Sequence, residues 1–458
     1  MQRLLAIVWL TWKAVFRFRL FWVLAALLAG SVVLLPLLLQ DDGTARGFTQ
    51  ILLTYTLAVI TALLGFATLW LSCGTLARDI EDCQMQMVAV KPIGRWQIWL
   101  GKWLGIVTLD AVLLALSGAC VAGLLQWRAQ RLPPAQQAIL RNEVLVSRGS
   151  LKEPIPDIEG DTKRVLQQRL KDVQANSVNI QAVRAQIREQ VKAANQVVPP
   201  NMLRRWKIDL GVKRYFLKDE PLFLRVKFYA AQTNASGTYL GLWEIGPVDS
   251  PTRRSTAQSM SAASFHEFRI PANLFDEKGV LTIDFQNRND TVLLFPLEDG
   301  LEVLYREGGF ALNFARGLGI ILCWLALLAS LGLAAASLLS FPVAAFVSVS
   351  LLLISLSSGT LSGAVEAGSI TGMNEETGEV GRSPLDMVLI PFFKLLLKVL
   401  SMVESFSPID ALSTGRSIGW DQLGLAFVQI VLLMGGLLAV VGIAIFNRRE
   451  LAAAQGNS

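Results

Sequence analysis

Histidine and cysteine are nearly absent from this chain of 458 residues: one His, His266, and four Cys, at positions 73, 83, 120 and 323. Nothing near His266 completes a ligand set, and no Cys/His spacing matches a zinc site. The long polar middle of the chain contains no cysteine, so it forms no disulfides. No nucleophile with a partnering base and no paired carboxylates in a plausible cleft can be picked out, which argues against an enzyme. A phosphate-binding loop is also missing. Residues 94–102 hold Gly and Lys at the wrong spacing, and Trp103 stands where Ser or Thr would bind magnesium. No basic cluster is interleaved with aromatics, so nucleic acid is not expected as a partner. No small-residue cleavage site follows the first apolar run, so a cleavable signal peptide is not expected either.

Apolar residues are what the chain has in excess. They make up 53% of it, and the mean hydropathy is +0.46. Backbone groups cannot stay unpaired in hydrocarbon, so an uncharged run of about 20 residues predicts a helix across a bilayer. Six runs qualify: 20–39, 51–76, 103–125, 318–339, 343–361 and 423–446. The fourth and fifth are separated by the Ser340-Phe341-Pro342 turn. The net charge of +6 comes largely from Lys and Arg flanking these runs, where they meet anionic headgroups. Arg78, Lys91, Arg95 and Lys102 lie in one loop, Arg448 and Arg449 near the end, and Asp41 and Asp42 oppose a single Arg46 in the first outer loop. That bias places both termini in the cytosol. Residues 1–19, with Lys13 and Arg17 on one helical face, read as an interfacial helix. Residues 20–126 then carry spans one to three, 313–446 carry spans four to six, and 447–458 form a cytosolic tail. Segment 384–406 is apolar, but Lys394 and Lys398 form a charged stripe, so it is expected to lie along the interface or to re-enter.

Residues 127–312 form the section outside, an α+β domain. Its first part, 128–200, is helical. From Asp161 onward Val165, Leu166, Leu170, Val173, Ile180, Val183, Ile187 and Val191 give one apolar helix face, stopped by Pro199-Pro200. That face either packs on its own domain or pairs with a second copy of the chain. The second part, 201–306, alternates as strands do around 222–229, 280–285 and 292–295, which suggests a β-sandwich. The stretch HEFRIPANLFDEKGVLTIDFQNRN at 266–289 resembles the last strands of a galactose-binding type of jelly-roll. In such a fold Tyr229, Tyr239 and Trp243 either stack on a sugar ring or serve as core and rim aromatics.

Between spans two and three, residues 78–102, the chain reads Arg78-Asp79-Ile80-Glu81-Asp82, then an apolar stretch from Met85 to Val90. Lys91-Pro92-Ile93-Gly94-Arg95 follows, and Gly101-Lys102 leads into span three. This order resembles the first cytosolic loop of type-2 ATP-binding cassette (ABC) permeases. The close of the chain, Ile445-Phe-Asn-Arg-Arg-Glu450-Leu, is similar to theirs, as are the Ser340-Phe-Pro turn and Ser407-Pro-Ile-Asp-Ala-Leu. The large insert departs from relatives that have a short loop there. The resemblance implies a polytopic α-helical membrane protein of six spans in the bacterial inner membrane, a permease subunit of an exporter. It implies a separate ATPase chain that holds ATP and magnesium, a second permease copy, and no cofactor on this chain. Residues 81–90 would form a coupling helix stopped by Pro92 and Gly94, with Glu81, Asp82, Lys91 and Arg95 as docking charges. Asp110 is the one acid well inside a span, either functional or paired to a neighbouring helix. From a different class, the chain would be a membrane-anchored scaffold that displays the sandwich for recognition without transport.

Overall fold

The computed structural model describes residues 2–17, 19–38, 44–82, 93–154, 156–172, 180–234, 236–248, 250–357, 359, 361–362, 365 and 385–449. The chain divides into two compact units, Met1–Ser147 with Gly308–Ser458, and Arg148–Glu307. Helices of six residues or more are, in chain order, α1 (Gln2–Arg17), α2 (Arg19–Leu38), α3 (Ala45–Glu81), α4 (Arg95–Ala129), α5 (Pro134–Ile139), α6 (Ile158–Asp172), α7 (Ile180–Gln196), α8 (Phe310–Leu338), α9 (Phe341–Leu356), α10 (Asp386–Glu404), α11 (Pro408–Ser413) and α12 (Trp420–Arg448).

Five of them, α2, α3, α4, α8 and α12, are long and apolar enough to cross a membrane. Helix α9 is apolar but has 16 residues. At 1.5 Å per residue it reaches about 24 Å, less than the roughly 30 Å of a hydrocarbon layer. The run predicted to continue to Leu361 passes through residues 358 and 360, outside the described set. Helices α3 and α8 form the centre of the first unit, with half of their most apolar window buried, against 28% for α2 and 22% for α12. Leu53, Leu57, Ile60 and Leu64 of α3 meet Leu114 of α4, Ile321 and Leu325 of α8 and Ile430 of α12 in one core. The outer faces carry Trp22, Leu27 and Leu34 on α2, and Leu432, Leu437 and Val440 on α12. A helix surface that apolar suits a hydrocarbon solvent.

Small residues set the closest approaches. A Cβ on Gly101 would stand 2.7 Å from Ile7 Cβ, and one on Gly105 2.7 Å from Thr11 Cβ. Two glycines one turn apart on α4 therefore make the seat for α1. The Trp12 indole adds a hydrogen bond to the Gly105 carbonyl at 3.0 Å. The helix expected to lie on the membrane surface thus has its Ile7, Thr11 and Val15 face buried in the protein. Helix α10 is continuous through Pro391, and Met387, Val388 and Leu395 on it are exposed.

The second unit holds eleven strands, less the first two residues of the first and the last two of the last: β1 (Val146–Leu151), β2 (Val197–Val198), β3 (Leu203–Asp209), β4 (Leu222–Val226), β5 (Tyr229–Ala230), β6 (Thr238–Ile245), β7 (Arg254–Ser261), β8 (His266–Ile270), β9 (Val280–Asn287), β10 (Leu293–Leu294) and β11 (Leu301–Gly309). They form two four-stranded sheets, ordered β1-β11-β4-β8 and β3-β9-β6-β7, and a small third one, β2-β10-β5. Alternation sends Trp206 and Ile208 of β3, Trp243 of β6 and Ile283 and Phe285 of β9 into a core shared with Leu222, Leu224 and Val226 of β4. The strand predicted over 222–229 breaks into β4 and β5. The single apolar helix face read from Asp161 to Val191 is divided between α6 and α7, which pack on each other. Arg184 bonds Glu159 at 2.9 Å and Arg169 bonds Gln190 at 3.0 Å across that pair.

Four charges on one sheet are buried together. Arg225 of β4 reaches Glu267 of β8 and Glu302 of β11, each at 3.3 Å. Arg148 of β1 also pairs Glu267, at 2.5 Å, and Ser150 donates to Glu302 at 2.7 Å. All four charged side chains are under a tenth exposed. In the antiparallel register Glu302 lies across from Arg225 and Arg225 across from Glu267.

Candidate functional site

The two flanks of the loop singled out in the sequence are the C-terminal end of α3 and the N-terminal end of α4. Gly94 precedes the first turn of α4, where its N–H donates to the Gln97 side chain at 3.2 Å and a Cβ would stand 2.9 Å from the Trp96 ring. The end of α3 closes as the Asp82 N–H bonds the Arg78 carbonyl at 2.8 Å. Residues 83–92, and with them Lys91, Pro92, Cys83 and most of the expected 81–90 helix, lie outside the described residues.

The charged residues that are described make contacts within the chain. Glu81 accepts a hydrogen bond from the Phe341 N–H at 2.8 Å, placing a negative charge on the open N-terminus of α9. One turn earlier, the Arg78 guanidinium lies 4.2 Å from the centre of the Phe341 ring. Lys102 is buried and bonds both Asp79, at 2.5 Å, and the Thr75 carbonyl, at 2.8 Å. This joins α4 to the last turns of α3.

Arg95 reaches further. Its Nη1 lies 2.9 Å from the Phe446 carbonyl, 2.7 Å from that of Asn447 and 3.0 Å from that of Arg449. These are the unpaired carbonyls at the end of α12, where a cation is favoured. Arg449 repeats the device, with Nη1 3.2 Å and 3.1 Å from the carbonyls of Ala336 and Ser337 near the end of α8. The ends of α3, α4, α8, α9 and α12 are thus tied together by side-chain-to-backbone bonds. Ile93 packs among the apolar residues beneath them, with Trp99 and Phe446 fully buried. Gly101 is occupied in seating α1.

Among the described residues of this loop, Asp82 and Trp96 are exposed side chains without an ion pair or ring contact. Sequence reading named Asp82 but missed Trp96. It also missed Arg449 as a capping residue and Phe341 as the partner of Arg78 and Glu81. The basic pair at the chain's end was the one available signal for Arg449.

Asp110 is buried on α4, with Thr68 of α3 2.9 Å from its Oδ2. The same hydroxyl donates to the Leu64 carbonyl at 2.7 Å. The structure therefore gives the acid a neighbouring-helix partner. Among the described residues, no group of three or more His, Cys, Asp or Glu is placed to hold a metal ion.

The three aromatics of the second unit are not brought together on a surface. Trp243 is fully buried, stacked 6.2 Å from Trp206 and tilted against Phe285 at 4.6 Å. Tyr239 is buried too, and its hydroxyl donates to the Gln232 carbonyl at 2.7 Å while accepting from the Asn234 N–H. Only Tyr229 is on the outside, with Lys227 5.6 Å from its ring. Buried rings offer no face to a sugar. Lys227 is raised above the ordinary lysine range by its hydrogen bond to Asp299. Burial alone would raise Asp284, but hydrogen bonds from Arg205 and Arg253 outweigh it and hold the carboxyl below its usual range.

Compared with known proteins, the chain matches no protein-family profile and no curated sequence.

Proposed function

We propose that this chain is the membrane-spanning permease subunit of an ABC exporter, worked by a separate ATPase chain that supplies ATP and magnesium. In this reading the chain crosses the inner membrane six times, with α9 as the short fifth span, both termini in the cytosol and a second copy completing the path. The observation that carries it is the set of bonds joining the flanks of loop 78–102 to the ends of α9 and α12, and the end of α12 in turn to that of α8. A permease must receive a push at its surface and pass it to several spans. Ties from α3 to α9, from α4 to α12 and on from α12 to α8 do that, because a displacement of the loop cannot be absorbed by one helix alone. The ordered resemblance of residues 78–102 and 445–451 to type-2 permeases points the same way.

The second unit reads as a jelly-roll. Counting only its eight main strands in chain order, the sheets run 1-8-3-6 and 2-7-4-5, the pattern that two nested Greek keys produce. It would stand outside the cytosolic face, since it is inserted between the third and fourth spans.

Docking is tested on exposed groups rather than on those that hold helix ends. Asp82→Lys with Trp96→Ala should abolish co-purification with a soluble nucleotide-hydrolysing chain and ATP-dependent transport in vesicles, while leaving the melting temperature unchanged. A native complex without any such ATPase would instead favour a non-transporting scaffold.

A further inference from the structure

The second unit has a groove of about 730 Å³ between Glu153, Pro154 and Pro156, the end of α7 with β2, and the start of β3. Its walls are of two kinds. Val198, Pro199, Met202 and Leu203 are apolar, and the last two are more than half exposed. Arg204, Arg205 and Lys207 bring positive charge, against Glu153 as the sole acid among the described lining residues.

Two of these cations are uncommitted. Arg205 is held by Asp284, at 2.7 Å and 2.8 Å. Arg204 lies with its guanidinium 4.7 Å from the Trp206 ring, and its Nη1 is buried with no hydrogen-bond acceptor among the described residues. A buried donor left unmatched is costly, and Arg204 is one of the residues that line the groove. Burial lowers the Arg204 guanidinium from its ordinary value, and the charge of Glu153 opposes that shift. Lys207 is exposed and makes no ion pair among the described residues. Glu153 itself accepts from the Lys207 backbone N–H at 3.2 Å, so a carboxylate already rests against this stretch of β3.

We propose that this groove binds an organic anion, its carboxylate or phosphate drawn to Arg204 and Lys207 and its apolar body seated on Pro199, Met202 and Leu203. The site is independent of whether the chain transports anything. An anion there offsets the positive charge of Arg204 and Lys207 and leaves the groove near neutral. The apolar wall gives an organic anion an advantage over a bare one, because it covers hydrocarbon surface that water now meets.

The full chain in lipid nanodiscs is titrated calorimetrically with phenylacetate and with phenyl phosphate, with inorganic phosphate and benzyl alcohol as controls. Saturable binding is expected for at least one organic anion, and which one binds identifies the headgroup. Arg204→Met should weaken it about tenfold or more, as for a lost charged hydrogen bond. Lys207→Gln, on an exposed side chain, should weaken it about threefold. Glu153→Gln should tighten it, a gain that damage to the fold would not produce. No saturable binding of either organic anion overturns the proposal. So does equal binding of benzyl alcohol, or unchanged affinity in both Lys207→Gln and Glu153→Gln.

Discussion

The guanidinium of Arg95 meets the carbonyl of Phe446 at 2.9 Å across 351 positions of sequence. One residue at the start of α4 therefore closes the last helix of the chain. From sequence it read as a docking charge for a partner. In the folded chain it caps a helix terminus, and Glu81 does the same at the other kind of terminus. Replacing both together would test anchoring of helix ends as much as docking.

Arg95→Ala should cost about 1.5–3 kcal/mol, the worth of a charge-assisted hydrogen bond in a part-buried place. The check is a melting curve of the purified chain in detergent, with a cysteine at Asn447 reporting exposure of the α12 end. Arg95→Lys should keep part of the effect, since a single ammonium can still meet carbonyls but has no planar fork. Equal melting temperatures for the Ala variant and the parent would remove the capping role.

The seat of α1 gives a second expectation. Gly105→Val adds atoms where a Cβ would already be 2.7 Å from Thr11 Cβ, and should destabilise by about 1–3 kcal/mol or detach α1. Gly123→Ala on the same helix meets nothing within 4 Å. It should be neutral or stabilising by up to ~1 kcal/mol, the helix-propensity gain. Protease cleavage between α1 and α2 separates the two outcomes.

For the buried charges, Glu302→Gln leaves Arg225 short of one counter-ion. A loss of about 3–5 kcal/mol is expected from stranding a buried charge. The double replacement Glu302→Met with Arg225→Met should cost less than the sum of the single changes. Hydrogen exchange at the amides of β4 and β11 measures both, and a double mutant that is simply additive would show the pair to be uncoupled.

Acid should loosen the second unit through Asp284. Its carboxyl sits below the ordinary value because Arg205 and Arg253 bond it. The folded state thus binds fewer protons than the unfolded one at acid pH. The stability it contributes is full above the unfolded value of about 3.9 and is lost as pH falls through the folded one. Asp284→Asn should flatten the acid limb of a stability curve for the sheets. An acid limb identical to that of the parent chain would exclude Asp284 as its source.

Much of the helical unit was legible because hydropathy is local. Runs such as 51–76 and 103–125 need no knowledge of their neighbours to be recognised, and both lie within observed helices α3 and α4. The strand alternation at 280–285 was legible for the same reason. The hairpin of α6 and α7 was not, since a 3.6-residue repeat looks alike whether one helix carries it or two face each other. Core placement of Trp243 and Tyr239 was one of the two readings the sequence offered and is the one found, but the pattern could not choose it, because an aromatic on an alternating strand looks the same facing core or solvent.

The sequence by itself determined which segments are apolar enough for a bilayer, where polar chain interrupts them and which strands alternate, since each depends on residues within one or two turns. Only the tertiary structure decided that Glu81, Arg95 and Arg449 close the ends of other helices, that Gly101 and Gly105 seat α1, and that Arg204 is left without an acceptor. Those outcomes depend on partners far away in the chain, and a free N–H or carbonyl at a helix end leaves no mark in the residue that will come to satisfy it.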